Sequence, residues 1–372
     1  MKKFGLICLV VFLLTGCAQE KEEEKKEEQQ IEKIKGQLCS VMDTCQEIYL
    51  EASKGEAENV ILEEEMVHKM VDLIAEEGRS VTCGGHDLNM RHAKKVEEAI
   101  LQGERGENAK TEFYEVNKDG YFFYHQLQFK DHKLQVTSAS ASMDQKGEKR
   151  IHQVETFYPY DWKYTDKGWI MWEKEQSKNQ EMDQHVFYRV RPLEERCRKA
   201  CKQYIQPVGY FCNNLFLTNW DETNMESVHL NDLYDFFYEM KEKKEIEEIE
   251  REGILKEEFE EVVTSFLPLS VEEIEKYACY DKESGMYPWE PIGMWNREQQ
   301  FLPFPEVVNY EENEDGTITL TVDAVFFEEG TDCSFRHKVT IREEEGTWKY
   351  IKNEIVKEFS NQIPKYKPRS SF

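Results

Sequence analysis

The residue types best suited to metal chemistry lie in the segment Cys83-Gly84-Gly85-His86, with His92 six residues further on. A cysteine thiolate and two imidazoles at such short spacing are ligands that zinc accepts. A fourth ligand is not evident, and a helix-entry loop that carries surface histidines explains the same residues. Cys83, His86 and His92 are therefore a candidate zinc site, and the loop is the favoured interpretation.

Two clusters of aromatic residues are candidates for ligand binding. The first runs from Phe157 to Tyr164 and contains Tyr160 and Trp162, and the second contains Tyr287 and Trp289. Flat amphipathic rings can stack on sugars or peptides, and neighbouring prolines keep such loops rigid at low entropic cost. Core packing and strand edges explain most of these rings equally simply. Tyr160, Trp162, Tyr287 and Trp289 are the ligand-binding candidates.

A short loop from Asn219 to Glu226 gathers oxygen-bearing side chains, as a calcium site would. It lacks the glycine and the alternating ligand positions of an EF-hand. Asp221 or Thr223 at the N-cap of the next helix is the favoured explanation of this composition.

Motifs of the familiar enzyme classes are missing from the sequence. It contains no phosphate-binding Gly-rich loop, no Gly-x-Ser-x-Gly elbow and no His-Glu-x-x-His helix. A catalytic pair of carboxylates is recognised by its separation in space, so none can be selected among the 75 acidic residues. No catalytic residue and no cofactor are predicted. A cell-wall hydrolase that uses an acidic pair or the zinc site stays open as an alternative function.

The N-terminus has the pattern of an export signal. Two lysines precede an apolar stretch, Phe4–Leu14, which is far shorter than the ~20 residues of a membrane-spanning helix. The following Leu14-Thr15-Gly16-Cys17 resembles the lipobox of bacterial lipoproteins. This resemblance implies that residues 1–16 are removed and that Cys17 carries the lipid. A secretory signal with an accidental cysteine is the alternative.

The charge of the chain limits its partners. Residues 17–32 follow the signal and are expected to form a charged stalk, because they contain too few apolar residues to pack into a core. The full chain carries a net charge of −27. Such a field repels nucleic acid, which is excluded as a partner. The expected partners are the membrane, through the lipid, and an envelope protein, peptide or glycan. The expected location is the outer face of the cytoplasmic membrane.

Eight cysteines remain after Cys8 leaves with the signal and Cys17 takes the lipid. An exported location permits disulfides. A core of this size does not require them, however, and Cys197 and Cys201, four residues apart, suit a bridge poorly. The disulfide state is left open.

The sequence resembles itself at a nearly constant distance, which favours two tandem copies of one module. Three collinear pairs carry the match: Ile61–Met66 with Ile254–Phe259, Tyr114–Gly120 with Tyr310–Gly316, and Lys167–Ile170 with Glu345–Trp348. The first two pairs are separated by 193 and 196 positions. The modules are placed at residues 33–176 and 185–357, with a flexible basic tail at 358–372.

Periodicity predicts that each module has helices followed by an antiparallel β-meander, which is the α+β class. One helical stripe contains Ile34, Leu38, Val41, Met42, Cys45, Ile48, Tyr49 and Ala52; the next contains Leu62, Met66, Met70, Leu73 and Ile74, with Gly78 as its cap. Asp-Gly pairs at Gly120 and Gly316 predict hairpin turns. A cystatin-like or NTF2-like sheet around helices is suggested by analogy only.

Three segments carry a resemblance to a known family: Arg191–Cys197, Asn214–Asn224 and Phe304–Val308. They look like a family of clostridial-type Gram-positive lipoproteins of unknown function, over residues 187–356. The family has no known activity, so the resemblance carries over no catalytic role. The lipobox, the stalk, the duplication and the missing catalytic motifs favour a membrane-anchored exported lipoprotein that binds an envelope component or a partner protein and is not an enzyme. This function predicts at least one concave or exposed aromatic surface.

Overall fold

The computed structural model describes residues 4–52, 61–83, 89–174, 185–244, 246, 253–292, 302–360 and 362–369, with side chains described at Lys25 and from Glu28 onward. Helices and strands account for similar shares of the chain, so the protein has the predicted α+β class. The chain forms two compact units, Met1–Pro192 and Leu193–Phe372. Within the described ranges, no helix is long and apolar enough to cross a membrane.

The first unit contains the helices α1 (Phe4–Glu51), α2 (Glu64–Glu76) and α3 (Ala93–Glu104). The predicted stripe of α1 is buried, with only Ile48 partly accessible. In α2 the buried face is rotated from the prediction and contains Val67, Met70, Val71 and Ile74. The rotation leaves Met66 and Leu73 partly accessible. Gly78 caps the helix as predicted, with a φ of 77° and its N–H bonded to the Ala75 carbonyl.

A five-stranded sheet is formed by β1 (Val81–Cys83), β2 (Ala109–Val116), β3 (Tyr121–Lys130), β4 (Lys133–Met143) and β5 (Lys149–Phe157) in that order, with β1 between α2 and α3 in the chain. Strands β2 to β5 form the predicted antiparallel meander, and β1 pairs with β2 in parallel. Gly120 has a φ of 73° in the β2–β3 turn, which confirms the Asp-Gly hairpin. Glycine adopts such a positive φ without a steric penalty.

Three further strands, β6 (Asp161–Tyr164), β7 (Trp169–Glu173) and β8 (His185–Arg189), form a separate antiparallel sheet of the first unit. The boundary between the units therefore lies at Pro192, beyond the predicted start of the second module at residue 185. The reason is the pairing of β8 with β7, which the isolated β8 sequence does not reveal. The Val190 amide extends this attachment by donating to the Gly168 carbonyl.

The five-stranded sheet is covered on both faces. Alternate residues along β2 and β3 point to opposite sides, as the strand period of two requires. Tyr114, Phe122 and Tyr124 pack with α1 and α2 on one side. Phe113 and Leu127 pack with α3 and the three-stranded sheet on the other. The first unit therefore has a core on each side of this sheet.

The second unit contains the helices α4 (Glu195–Ala200), α5 (Tyr234–Glu242), α6 (Lys256–Phe266) and α7 (Val271–Tyr277). The chain continues from α4 into a π-helical turn, Cys201–Ile205, whose buried side chains complete the stripe of α4. Helix α7 begins with the capping-box pair of Ser270 and Glu273.

The strands of the second unit are β9 (Trp220–Asp221), β10 (Gly253–Leu255), β11 (Met286–Pro288), β12 (Phe304–Glu312), β13 (Ile318–Phe326), β14 (Thr331–Glu344) and β15 (Thr347–Ile355). Strands β12 to β15 form an antiparallel meander, and β9 adds to its β15 edge. Ile318, Leu320 and Val322 are buried, as their alternation predicts. One continuous core joins this sheet to the helices.

The units share features close to the positions where the sequence repeats. Helices α2 and α6 each bury four residues. Each buried residue of α2 has a buried counterpart in α6 that lies 192 positions later, from the pair Val67 and Phe259 to the pair Ile74 and Phe266. The first hairpin turn of each meander also corresponds. The third match does not correspond, because Lys167–Ile170 connects β6 to β7 in the separate sheet while Glu345–Trp348 connects β14 to β15. Descent of the two units from one duplicated module stays a prediction.

Candidate functional site

An open groove of about 1020 Å³ lies in the first unit, at the end of the five-stranded sheet where β3 turns into β4. One wall is this turn, and the other is the connection from β5 to β6. Asp131 and His132, at the tip of the turn, have positive φ angles of 50° and 62°. Two consecutive positive φ angles make the tightest hairpin connection. The turn therefore forms a short, fixed edge of the groove.

Two tyrosines of the other wall expose their rings to solvent. Tyr158 is 66% exposed and Tyr160 is 59% exposed, although most aromatic side chains of the first unit are buried. Pro159 lies between them and restricts the backbone. The Tyr160 amide donates to the Glu173 carbonyl at 2.8 Å, which ties this segment to β7. The rings stay in water while their backbone is held in place.

Trp162 forms the inner part of the same wall. Its indole N–H donates to the His132 carbonyl at 3.1 Å, and its ring lies 5.1 Å from the ring of Phe129. The tryptophan thus joins the two walls and is held on its buried side by the core. This contact gives the groove a fixed aromatic surface next to the exposed tyrosines.

The C-terminal end of α3 contacts the turn between β3 and β4 and supports it. His132 Nδ1 lies 3.1 Å from the Glu104 carbonyl. A Cβ atom on Gly106 would meet His132 Nε2 at 2.6 Å, so a larger residue at this position would have to displace the His132 ring. Gly106 also has a φ of 78°, which favours glycine independently.

The polar lining of the groove is balanced in charge. Lys130, Lys133 and Lys163 line the groove together with three carboxylates, and Gln128 and Gln135 add uncharged donors and acceptors. The carboxylates are those of Glu104, Asp131 and Asp161. Burial, assisted by the nearby charge of Asp166, raises the pKa of the Glu104 carboxyl. The groove is thus locally neutral on a chain whose net charge is −27.

A family of unknown function, DUF6070, matches residues 31–369. The chain belongs to the DUF6070 family. The match begins at the C-terminal end of the charged stalk and spans both units. No curated protein and no solved structure is similar enough to be matched with the chain.

The second predicted aromatic cluster of this DUF6070 protein is part of its core, which corrects its prediction as a binding surface. Tyr287 is fully buried and Trp289 is 6% exposed. The Tyr287 ring stacks on Phe259 at 4.3 Å, and the Trp289 indole donates to Asp235 at 3.2 Å. The cause is the pairing of β11 with β10, which turns the Tyr287 ring onto α6. Trp289, the residue after β11, contacts Asp235 of α5.

The predicted zinc site is described only in part. Cys83 is buried in β1, and His92 places its Nε2 2.8 Å from the Ala75 carbonyl. His86 lies outside the described residues. Among the described residues, no group of three histidine, cysteine or acidic side chains is arranged to hold a metal ion. His92 instead supports the C-terminal end of α2.

The loop with oxygen-bearing side chains is organised by hydrogen bonds to its own backbone. Asp221 Oδ1 accepts from the amide of Thr223 at 2.9 Å and from its hydroxyl at 2.6 Å. Asn224 Oδ1 accepts from the Glu226 amide in the same way. These local turns use the oxygens that a calcium ion would need, although they do not cap a helix as predicted.

A buried charged cluster in the second unit has no counterpart in the sequence-based predictions. The Arg369 guanidinium contacts Asp235 at 2.5 Å and Asp232 at 3.1 Å. Tyr366 donates to Asp232, and Trp289 donates to Asp235. Burial raises the pKa of the Asp235 carboxyl, even though Arg369 counteracts this rise. The expected flexible tail is therefore anchored at Arg369, because two acids more than 130 residues away attract its charge.

A second buried network joins the two sheets of the first unit. The Tyr188 hydroxyl donates to Glu115 at 2.7 Å and lies 2.9 Å from His125 Nε2, while Ser138 lies 3.2 Å from His125 Nδ1. The residue types are those of a nucleophile, a base and an acid. However, His125 is 6% exposed and stacks on Phe113 at 5.0 Å. The network satisfies buried polar groups between the sheets.

Proposed function

We propose that this protein is an exported lipoprotein, anchored by Cys17, whose first unit binds a component of the cell envelope in the groove of Tyr158, Tyr160 and Trp162. The lipidation motif supports the anchoring half of the proposal. The exposed tyrosine pair beside a fixed tryptophan is the observation that carries the binding half. Large exposed rings in a concave surface are typical of sites that bind another molecule.

The lipid anchor is consistent with the remainder of the chain. The lipobox cysteine precedes a charged segment, and the family match begins only at residue 31. We therefore assign the protein to the outer face of the cytoplasmic membrane, in agreement with its resemblance to clostridial-type lipoproteins. The Cys17 side chain itself lies outside the described side chains.

The anchor is tested by metabolic labelling with an alkyne-tagged fatty acid in a Gram-positive host. We expect label on the full chain and none on the Cys17→Ser variant, which should leave the membrane fraction. Cys8→Ser is the matched control, because it changes a cysteine of the signal and should leave labelling intact. Equal labelling of wild type and Cys17→Ser would refute the anchor.

Binding is tested with the soluble fragment 31–372 and sedimented cell-envelope fragments. We expect the fragment to sediment with them and the Tyr158→Ala/Tyr160→Ala variant to remain largely in solution. Tyr121→Ala is the matched control, because Tyr121 is 37% exposed but lies at the other end of β3. Unchanged sedimentation of the double variant would remove the groove from the proposal.

A further inference from the structure

We infer that the groove binds a neutral saccharide chain, an inference that rests on the proposed function and specifies its ligand. A sugar ring presents apolar C–H faces and a rim of hydroxyl groups. Its recognition therefore requires exposed aromatic faces together with donors and acceptors on side chains. The groove of Tyr158, Tyr160 and Trp162 supplies both.

The aromatic part of the groove is suited to stacking. Tyr158 and Tyr160 leave more than half of their surfaces in solvent. Trp162 is fixed by its bond to the His132 carbonyl at 3.1 Å. An aromatic ring offers a large contact area for a small loss of side-chain entropy, since it has only two rotatable bonds. Three rings along one groove can contact successive units of a chain.

The charges of the groove favour a neutral ligand. Three lysines and three carboxylates line it, so it has no net charge to attract an ion. A polyanion would meet the repulsion of a chain with a net charge of −27. A polycation would find more strongly acidic surface elsewhere on the same chain. Hydroxyl groups, by contrast, can donate to the carboxylates and accept from the lysines and glutamines.

The backbone of the groove is less suited to an extended peptide. Strand addition requires unpaired amides and carbonyls along an edge. The Tyr160 amide is bonded to the Glu173 carbonyl at 2.8 Å, and the Trp162 amide is bonded to Asp161 at 2.9 Å. The His132 carbonyl is occupied by Trp162. At these three positions the recognition groups that remain are side chains, which suits a saccharide.

The test is isothermal titration of fragment 31–372 with two neutral β-1,4-linked tetrasaccharides, one of glucose and one of N-acetylglucosamine. We expect one or both to bind. Each tyrosine-to-alanine substitution should weaken binding about 2- to 10-fold, as expected for the loss of one stacked ring. The Tyr158→Phe/Tyr160→Phe variant should retain most of the affinity, because stacking needs the ring and not the hydroxyl. Tyr121→Ala should bind like wild type.

Two results would overturn the saccharide assignment. One is the absence of heat from both tetrasaccharides at ~10 mM, where even a Kd of about 1 mM is detectable. The other is binding of a neutral tetrapeptide, tetra-alanine, with the same dependence on Tyr158 and Tyr160. In either case, the sedimentation experiment tests the proposed function separately. If sedimentation with envelope fragments still depends on these tyrosines, the proposed function is retained. Loss of that dependence refutes the proposed function itself.

Discussion

At the scale of single residues, His337 shows how burial controls a charge. It lies in β14 with no exposed surface, and its ring nitrogens lie 2.8 Å from the side-chain oxygen Oδ1 of Asn353 and 3.0 Å from the Tyr210 hydroxyl. Burial lowers the pKa of His337 to about 4, although the bond to Asn353 and the charge of Asp323 act in the opposite direction. The folded protein therefore holds this histidine neutral at pH values where the unfolded chain is protonated.

This difference predicts a loss of stability in mild acid. The pKa of His337 is depressed in the folded state, so its contribution is fully present above the unfolded value near 6.5 and declines toward pH 4. The decline should reach about 3 kcal/mol at pH 4. The measurement is the free energy of unfolding by urea from pH 7.5 to 4. His337→Gln should show a shallower dependence on pH than wild type.

The control for this experiment is His132→Gln, since His132 is an exposed residue of the groove turn. It should follow the wild-type pH dependence. Parallel curves for wild type and His337→Gln would show that another group causes the acid sensitivity.

At the scale of elements, the asparagine-rich segment that carries the family resemblance has a structural explanation. Asn214 accepts from the His229 amide at 3.0 Å and donates to the Ser227 carbonyl at 2.7 Å. Asn219 accepts from the Ile355 amide at 2.6 Å, and Asn353 donates to the Thr218 carbonyl at 2.7 Å. These amide groups replace the backbone partners that a connection without regular structure lacks. The segment fixes β9 to β15 and leads the chain into α5.

We expect Asn214→Ala to lower the free energy of unfolding by about 2 to 4 kcal/mol, because the partners of a buried amide lose their hydrogen bonds. Asn224→Ala is the matched control, since Asn224 is exposed and bonds only to its own loop. It should change stability by less than about 1 kcal/mol. Urea unfolding followed by circular dichroism measures both. Similar effects of the two substitutions would contradict this role of Asn214.

At the scale of the whole molecule, residues near the C-terminus complete the second unit. The Arg369 side chain is 1% exposed and neutralises Asp232, just before α5, and Asp235, in the first turn of α5. Arg369→Met should destabilise the second unit by about 3 to 5 kcal/mol, because it leaves buried carboxylates unpaired. Tryptophan fluorescence is a suitable probe, since Trp289 donates to Asp235 in the same cluster.

Lys365→Ala is the control for Arg369→Met, since Lys365 is an exposed basic residue of the same segment. It should unfold like wild type. A stability of Arg369→Met within about 1 kcal/mol of wild type would mean that the cluster contributes little.

Each unit has its own hydrophobic core, and the core clusters of Met1–Pro192 and Leu193–Phe372 share no residue. We therefore expect fragments 31–192 and 193–372 to fold separately, each with a cooperative thermal transition and dispersed amide resonances. A fragment that stays unfolded until its partner is added would show that one unit depends on the other.

Local patterns determined the regular structure of this protein. The helical stripe of α1, the Gly78 cap of α2 and the Asp-Gly turns were predicted, since each depends on residues close in sequence. The lipobox likewise depends only on adjacent residues, and it predicts the cellular location.

Only the tertiary structure decided which chemical groups face solvent. The cluster at Tyr160 and the cluster at Tyr287 are alike in composition, yet strand pairing buries the second and leaves the first open. Arg369 appears as part of a basic tail until the distant Asp232 and Asp235 neutralise it. Exposure and pairing depend on contacts between residues far apart in the chain, and no local pattern in one sequence contains those contacts.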